Sequence, residues 1–536
     1  MRILFSALHF GFFRNFESVV ERLAERGHEV ILSADEPEGL GGLGLVERLA
    51  ARHATVRVVW TPSCEQEPWF RVARKLRHGL DYLRFLEPQY TPFPKLRERA
   101  RERAPRAIDA LMHTPGLNTR GGRRVVRGWL DLLDRSMPSH TAMEGFLQEL
   151  RPDVALFASV TNPRAPQFDH LRAARKLGIP TGVCIYSWDH LSSKTLIRIV
   201  PDRVLVWNEV QKHEAVTLHQ VPAARVTVTG AQVYDQWFSR SATRSREQFV
   251  EAIGLPGDVP LLLYVCSAMT PDPHESSFVR EWLGALRSAP DPKLRTAAVL
   301  IRPHPERRAE WDAQEWSAYA PLVIAGQNPV TDTAKADYFD ALLHADAVIG
   351  LVTSAFLEAA IAGRPVLTVM PKQFASHQEG MLHFRYLLEV EDGLLLASRT
   401  LDDHVAHLGG ILAGQIEYRE RQSRFLRAFV RPGGLEVPAT AAFVDAVERL
   451  PLDAQGPRVA TAPVPAGLTR QFIKASDTGF LASVMLDSRE LGERRSRDGR
   501  VDQHRQQRRS KWRTHRRKKL IAQVQFKLQR VRDLIR

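Results

Sequence analysis

The order of apolar segments at the start of the chain restricts the fold more than any other feature. An apolar run at residues 2–8 (RILFSAL) precedes a loop that carries His9, and an amphipathic stretch follows at residues 16–26. A second apolar run, EVILSA, begins at residue 29. The helical spacing of the middle segment and the short connections predict a strand, a helix and a second, parallel strand. Such a unit begins a doubly wound sheet.

The same alternation continues along the chain and starts again after a polar segment at residues 239–248 (SRSATRSREQ). For the first half it predicts further strands at 56–60, 154–160, 182–186, 203–206 and 226–229. For the second half it predicts strands at 260–266, 297–302, 322–325, 347–350 and 365–369, with helices at 275–288, 338–344, 355–362 and 401–413. We therefore predict an α/β fold with two Rossmann-like parallel-sheet domains, residues 1–236 and 247–450, that face a cleft.

Residues 66–136 interrupt the first domain. They are rich in arginine and leucine, and WFRVARKLRHGLDYLRFL has a helical apolar spacing, so we predict a helical insertion. Its basic residues have two interpretations. They form a solvated helix face, or they form a membrane-surface or acceptor-binding platform beside the cleft.

Most of the net charge of +14 lies in a low-complexity C-terminal tail, residues 451–536. Residues 487–536 contain 18 Lys and Arg against 6 Asp and Glu, a net of +12, which leaves the rest near +2 (14 − 12). Solvated or partly disordered chain is the plain interpretation, and a basic helix on an anionic membrane is the main alternative. Because the body is nearly neutral and only Trp512 and Phe526 interleave with the final charges, we do not expect a nucleic-acid partner.

Targeting signals and cysteines point to a cytoplasmic protein. No apolar run reaches the roughly 18–20 residues of a membrane span, and the N-terminus lacks the order of a signal peptide. Cys64, Cys184 and Cys266 are scattered and odd in number, so we predict neither disulfides nor a zinc site. A peripheral position on the inner leaflet of the cell membrane is compatible with the basic tail.

The strongest functional pattern is ADAVIGLVTSAFLEAAIAGRPVLTV at residues 345–369. A strand ends there near Gly350, and Thr353 and Ser354 fall at the start of a helix, whose unpaired N–H groups suit a diphosphate. Glu358 lies one turn further and can accept hydrogen bonds from ribose hydroxyls. The alternative is that Thr353 only caps the helix and Glu358 only complements its dipole.

Two other strand ends carry candidate ligands. VLIRPHPERR, residues 299–308, ends a strand with Arg302 and His304, which can pair with phosphate oxygens; a capped strand end with a solvent-facing arginine is the alternative. SHQEGMLHF, residues 376–384, supplies Gln378 and Glu379 as candidate partners of sugar hydroxyls.

The 345–369 block, with the IRPHP that precedes it, resembles the donor half of GT-B enzymes. Bacterial surface-polysaccharide transferases, CDP-glycerol glycerophosphotransferases and UDP-N-acetylglucosamine 2-epimerases are its nearest likenesses. The first 34 residues look like the GT-B acceptor half. Residues 187–216, beginning SWDHLSSK, resemble a group of bacterial proteins that share this architecture. The likeness covers residues 1–450.

The resemblance implies a glycosyltransferase of bacterial cell-envelope polysaccharide synthesis. A nucleotide-diphosphate sugar is its donor, and a glycan or lipid-linked molecule is its acceptor. The diphosphate would meet Ser354 and the RPHP turn, the ribose would meet Glu358, and neither a cofactor nor a metal ion is expected. The acidic pair of the epimerases is replaced here by Glu358 and Ala359.

Inverting sugar transfer needs a general base. His9, at the end of the first strand, is the first candidate, and Asp189 and His190 are the second. Three other functions stay open: glycerophosphate transfer from CDP-glycerol, a reaction like that of the UDP-sugar 2-epimerases, and a non-catalytic nucleotide-binding or membrane scaffold.

Overall fold

The computed structural model describes residues 1–38, 41–65, 67–158, 160–268, 274–454 and 465–477. The predictions for the basic tail at 487–536 therefore lie outside the described residues. Two parallel sheets organise the rest of the chain.

The first sheet has the order β3-β2-β1-β4-β5-β6-β7, with every adjacent pair parallel. Its strands are β1 (Arg2–Ala7), β2 (Glu29–Ala34), β3 (Val56–Trp60), β4 (Val154–Phe157), β5 (Thr181–Cys184), β6 (Arg203–Val206) and β7 (Val226–Val228). Helices cover both faces, and the central strands are therefore buried along almost their whole length.

The second sheet has the order β10-β9-β8-β11-β12-β13 and is also parallel throughout. Its strands are β8 (Leu261–Val265), β9 (Ala298–Arg302), β10 (Leu322–Ile324), β11 (Ala347–Gly350), β12 (Val366–Val369) and β13 (Leu396–Ser398). The two sheets confirm the predicted α/β class, and each predicted strand is present within a few residues. The short edge strand β13 was not predicted.

Helices connect the strands. Those up to the crossing between the sheets are α1 (Glu17–Glu25), α2 (Gly42–Arg52), α3 (Pro68–Phe85), α4 (Pro94–Arg103), α5 (Arg106–His113), α6 (Arg120–Arg135), α7 (Thr141–Leu150), α8 (Gln167–Lys176), α9 (His190–Ser193), α10 (Glu209–Thr217) and α11 (Asp235–Phe238). The others are α12 (Arg246–Ala252), α13 (Glu275–Arg287), α14 (Pro292–Arg295), α15 (Arg308–Asp312), α16 (Asp332–His344), α17 (Ala355–Ile361), α18 (Leu382–Glu389), α19 (Leu401–Leu412), α20 (Arg419–Phe429), α21 (Ala439–Asp453) and α22 (Ala466–Asp477).

The insertion is helical, as predicted. Helices α3 to α6 occupy it, and its described residues contain no strand. Among the helices that the structure describes, none is both long enough and apolar enough to cross a bilayer.

Helix α21 crosses back from the second half to the first sheet. Phe443, Val447 and Leu450 are buried in the core that surrounds β1 and α1. A Cβ at Gly182 in β5 would lie 3.2 Å from Cδ1 of Leu450, so the glycine allows this close packing. The structure thus places α21 with the first sheet, although it falls mostly inside the range 247–450 predicted for the second domain. Its apolar periodicity shows that it packs, but not on which core.

The chain passes between the two domains twice, at α11 and again just before α21. A buried ion pair joins these two connecting segments. Asp235 at the start of α11 accepts hydrogen bonds from Nη2 of Arg431 at 2.7 Å and from the backbone N–H and hydroxyl of Thr440 at 2.7 and 2.6 Å. The guanidinium of Arg431 also lies over the ring of Phe238, 3.7 Å from its centroid. Removing one partner of a buried pair leaves the other charge uncompensated.

We expect Asp235→Ala to lower the melting temperature by roughly 6–12 °C, since breaking a buried pair costs about 3–5 kcal/mol in a domain of this size. Differential scanning calorimetry of the full chain checks this. Asp445→Ala is the matched control, because Asp445 pairs with Arg26 on the surface of the same crossing and is 52% exposed. It should change the melting temperature by less than about 2 °C. Equal shifts for the two variants would contradict the assignment.

Candidate functional site

A cleft of about 520 Å³ lies between the carboxyl edges of the two sheets. Residues that follow β5 and β6 line it from the first sheet, and residues that follow β8, β9 and β11 line it from the second. Parallel strands end at the same edge, so their loops gather there. Ligands bind at this position in doubly wound folds, and the cleft is therefore the candidate site.

Arg302 ends β9 and lines this cleft. Its Nη1 donates to Oδ2 of Asp337 at 2.9 Å, and its guanidinium lies over the ring of Tyr338, 5.1 Å from the centroid. Gly326 has a φ of +119°, and a Cβ there would lie 2.6 Å from Cζ of Arg302. The glycine therefore leaves the space in which the guanidinium is held.

Three other side chains add positive charge or hydrogen-bond donors. His304 follows Arg302, Arg14 comes from the loop after β1, and Lys335 comes from α16. Lys335 is 7% exposed, and its Nζ lies 2.9 Å from Oε2 of Glu17 in the first domain. The cleft is thus lined by cations from both halves of the chain, which favours an anionic ligand.

The turn after β11 reaches the same cleft. Thr353 and Ser354 both line it. Oγ1 of Thr353 accepts from the backbone N–H of Ala355 at 3.3 Å, whereas the hydroxyl of Ser354 does not cap the helix. A Cβ at Gly350 would lie 2.8 Å from the carbonyl oxygen of Val265. This glycine lets the end of β11 lie close to β8. From these two central strands the chain continues toward opposite edges of the sheet.

Among the described residues that line the cleft, Glu358 is the single acidic one. The hydroxyl of Tyr338 donates to its Oε2 at 2.5 Å. Burial raises the pKa of Glu358 to about 7, against the opposing effects of the Tyr338 hydrogen bond and the Arg14 charge. The carboxyl group is therefore largely protonated just below neutral pH, which reduces its repulsion of an anion.

The predicted base His9 lies in a neighbouring cavity of about 230 Å³. That cavity and the main cleft share Arg14, Tyr186 and Lys335 as walls, so the two are adjacent. Burial lowers the pKa of His9 below its usual value, and Arg14 lowers it further while Glu38 opposes the shift. Its Nδ1 makes no hydrogen bond to any residue that the structure describes. A neutral imidazole can accept a proton.

The other two candidate general bases, Asp189 and His190, are placed differently. Asp189 accepts from the hydroxyl of Ser187 at 2.6 Å and forms an ion pair with Lys194 at 3.2 Å. Although burial opposes it, the charge of Lys194, helped by nearby histidines, lowers the pKa of Asp189 below its usual range. His190 is 4% exposed, and burial lowers its pKa to about 4. Neither side chain lines the cleft, and a carboxylate held in this way is a poor proton acceptor.

Gln378 and Glu379, the predicted sugar ligands, do not point into the described cleft. Gln378 is fully buried, and its amide donates to the backbone oxygens of Val369 and Leu351 at 2.8 and 3.2 Å. It therefore ties β12 to the turn after β11. Glu379 lies at the surface, where it pairs with Arg399 at 2.7 Å. A polar loop after a strand does not reveal which way its side chains turn, and the structure places neither side chain among those that line the cleft.

Aromatic rings cover much of the remaining wall. They come from both domains and from the crossing between them: Tyr186, Trp188, Trp207, Tyr234, Trp237 and Tyr338. Rings of this kind provide flat apolar surface with polar edges, which suits a sugar or a nucleoside. Within the described residues, no group of three or more His, Cys, Asp or Glu side chains is placed to hold a metal ion.

Sequence reasoning missed Lys335 and Tyr338 as site residues. The predicted helix began at 338, while α16 begins at Asp332 with Thr331 as its cap. Oγ1 of Thr331 accepts from the N–H of Ala334 at 3.2 Å. A threonine just before an aspartate was the available signal for this earlier start. The aromatic wall had no local signal, because its members come from separate segments.

Solved structures with a similar backbone are glycosyltransferases and UDP-GlcNAc 2-epimerases. A glycosyltransferase from Rickettsia africae matches with a TM-score of 0.48 and 10% identity, covering 84% of this chain and 98% of that one. The UDP-GlcNAc 2-epimerase from Neisseria meningitidis, bound to UDP-GlcNAc, has a TM-score of 0.48 and 12% identity, over 84% and 100%. WaaG, a glycosyltransferase involved in lipopolysaccharide biosynthesis, has a TM-score of 0.43 and 14% identity, over 84% and 99%.

By sequence, no protein-family model and no curated protein matches this chain. Two parallel sheets with a cleft between them are the architecture that the sequence predicts for residues 1–450.

The contact between Gly326 and Arg302 gives a test of the site. If an anion binds in this cleft, we expect Gly326→Ala to weaken binding of a nucleoside diphosphate by about 10-fold or more, because the new methyl group displaces a guanidinium that can bind phosphate with charge-assisted hydrogen bonds. Isothermal titration calorimetry measures the affinity. Gly254→Ala is the control, since Gly254 has a φ of +73° and open space around its Cα. Equal affinities in the two variants would show that Arg302 does not contribute to ligand binding.

Proposed function

We propose that this chain is a glycosyltransferase that transfers a sugar from a nucleotide-diphosphate donor. One observation carries the proposal: two strand ends of the second sheet line a single cleft that faces the first domain. Arg302 and His304 come from the end of β9, and Ser354 and Glu358 follow β11. A cationic cleft with one carboxyl group and aromatic walls matches the parts of such a donor. The cations suit its diphosphate, the carboxyl group its ribose, and the rings its sugar or base.

The donor would lie with its diphosphate between the end of β9 and the turn after β11. Arg302 can bind phosphate oxygens through its remaining donors, because only its Nη1 is hydrogen-bonded to Asp337. Lys335 would approach from α16. Glu358 would accept hydrogen bonds from ribose hydroxyls, and Tyr338 would orient its carboxyl group through their 2.5 Å contact.

The reaction would break the bond between the anomeric carbon and the diphosphate oxygen. An acceptor hydroxyl from the first-domain side attacks that carbon and forms the new glycosidic bond. The bonding electrons leave with the nucleoside diphosphate, whose growing charge is offset by Arg302, His304 and Lys335. The hydroxyl proton passes to His9. No metal ion is part of this proposal, and activity in the presence of a chelator tests that expectation.

The acceptor class is part of the proposal as well. A glycan or a lipid-linked glycan of the cell envelope remains our expectation, since it follows from the resemblance of the donor block to surface-polysaccharide transferases. The cavity beside His9 supports an acceptor with apolar character, because Phe12, Leu45 and Val330 are among its walls.

A screen of UDP-, GDP-, dTDP- and CDP-linked donors tests the function itself. Binding of a donor raises the melting temperature by mass action, and mass spectrometry identifies what an acceptor gains. Addition of a sugar mass supports the proposal. Addition of glycerol phosphate would favour transfer from CDP-glycerol, and an isomerised donor without any acceptor would favour epimerisation. Binding without any reaction over a broad acceptor panel would favour a non-catalytic scaffold.

The role of His9 makes a specific prediction. We expect His9→Ala to reduce turnover by about 100-fold or more, the usual contribution of a general base, while UDP affinity changes less than about 2-fold. Initial rates and calorimetric titration of the same protein sample measure both quantities. His213→Ala is the control, because His213 is an exposed histidine on α10. Full turnover in the His9 variant would show that His9 is not the general base.

The raised pKa of Glu358 predicts how binding depends on pH. As pH rises through about 7, Glu358 loses its proton and gains a charge that repels the diphosphate. UDP binding to the wild type should therefore weaken relative to Glu358→Gln by roughly 2–5-fold across this transition. Taking the ratio of the two dissociation constants cancels the titration of UDP itself. A ratio that stays constant from pH 6 to pH 8 would show that Glu358 does not titrate beside the ligand.

A further inference from the structure

Helix α6 of the insertion has a solvent-facing side of unusual composition. One side of the helix packs inward through Val126, Leu130 and Asp134, which are buried. Gly79 of α3 approaches that side so closely that a Cβ there would lie 3.3 Å from Cδ1 of Leu130. The opposite side is exposed and contains Arg120, Arg124, Val125, Gly128, Trp129 and Arg135. We call this side the α6 outer face.

Two large apolar side chains stand at its centre. Trp129 is 63% exposed and Val125 is 57% exposed. They are four residues apart on one helix, so they are neighbours on its surface. The other exposed large apolar residues of the described chain are Met1, Leu43, Trp60, Leu111, Val437, Leu452 and Leu468, and no two of these are so spaced on one helix.

The charge around this apolar pair is positive. Helix α6 contains five arginines and two aspartates. Asp134 is buried and forms an ion pair with Arg77 at 2.8 Å, so it does not offset the outer face. Asp131 is half-buried and offsets part of the charge of Arg135 and Arg127. Arg120 and Arg124 form no ion pair with a carboxylate of the described residues, and they leave the outer face with a net positive charge.

We propose that the α6 outer face docks on an anionic lipid bilayer. Trp129 and Val125 would enter the boundary between headgroups and acyl chains, where amphipathic indole rings are favoured. Arg120, Arg124 and Arg135 would contact lipid phosphates. A stable protein partner needs a complementary interface of about 1,000 Å² or more, and one protruding pair on a single helix is too small for that. The apolar centre likewise distinguishes this face from a nucleic-acid surface, which is dominated by phosphate-binding cations.

The insertion contacts the second domain, where Arg385 of α18 lies over the ring of Phe93, 4.7 Å from its centroid. The docking proposal does not rest on the proposed reaction. A protein of any activity with this face would bind anionic lipid.

Vesicle binding by the full chain tests the proposal. Vesicles of phosphatidylcholine alone and of phosphatidylcholine mixed with phosphatidylglycerol are prepared with brominated acyl chains, which quench nearby indoles. We expect wild-type fluorescence to be quenched on the mixed vesicles only, and Trp129→Phe to lose most of that quenching. Trp60→Phe, at a 48% exposed tryptophan on β3 of the first sheet, is the matched control and should keep it.

A second variant tests the charges. Arg120→Gln combined with Arg124→Gln should lower partitioning onto mixed vesicles by roughly 10–30-fold, as expected for two arginines near an anionic surface. Melting temperatures equal to that of the wild type establish that these surface variants are folded. The basic segment at 487–536 is present in every sample, so binding through it alone would leave quenching unchanged in Trp129→Phe. That result overturns the proposal, as would equal quenching on neutral vesicles, or self-association or RNA binding that depends on Trp129 without any quenching by lipid.

Discussion

Parallel strand pairing is the constraint on which the rest of this structure depends. In each sheet the carboxyl ends of all strands lie along one edge, so the loops after β9 and β11 line the same cleft although about 50 residues separate them. In an antiparallel sheet alternate loops would lie at opposite edges, and Arg302 and Ser354 would be far apart. The cleft exists because two such edges face one another. The direction of the strands therefore brings the candidate ligand-binding residues to the cleft, and the nature of each side chain then decides what it can bind there.

The electrostatics of the cleft are arranged so that cations can be held there before a ligand binds. Arg302 has Asp337 as its partner and Lys335 has Glu17, and in both pairs the acid stands behind the cation and does not line the cleft. Buried charges need such partners. Glu358, which does line the cleft, has a pKa raised to about 7 by burial. An incoming anion therefore meets fixed positive charges and a carboxyl group that is largely neutral below that pH.

A site between two domains also needs the domains to be held in position. The buried contact of Asp235 with Arg431 joins the two segments that cross between the sheets, and α21 then packs on the first core. A second contact crosses between the domains, where the hydroxyl of Tyr386 donates to Oε1 of Glu214 at 2.7 Å. Burial raises the pKa of Glu214 to about 8, which keeps that carboxyl group neutral where it is enclosed. These contacts join residues 170 or more positions apart and set the geometry of the cleft walls.

The sequence by itself determined most of the order of strands and helices, though not the edge strand β13, and it determined the two-sheet class. It also placed Arg302, His304, Ser354 and Glu358 at or just after strand ends. Those features follow from local periodicity and from residues adjacent in the chain. Only the tertiary structure decided that Gln378 turns inward to backbone oxygens, that Glu379 pairs with Arg399, that α21 returns to the first core, and that Lys335 and Tyr338 line the cleft. The physical reason is that a side chain's partner is chosen by packing among distant segments, and hydrophobic spacing indicates that a residue is buried without indicating what it is buried against.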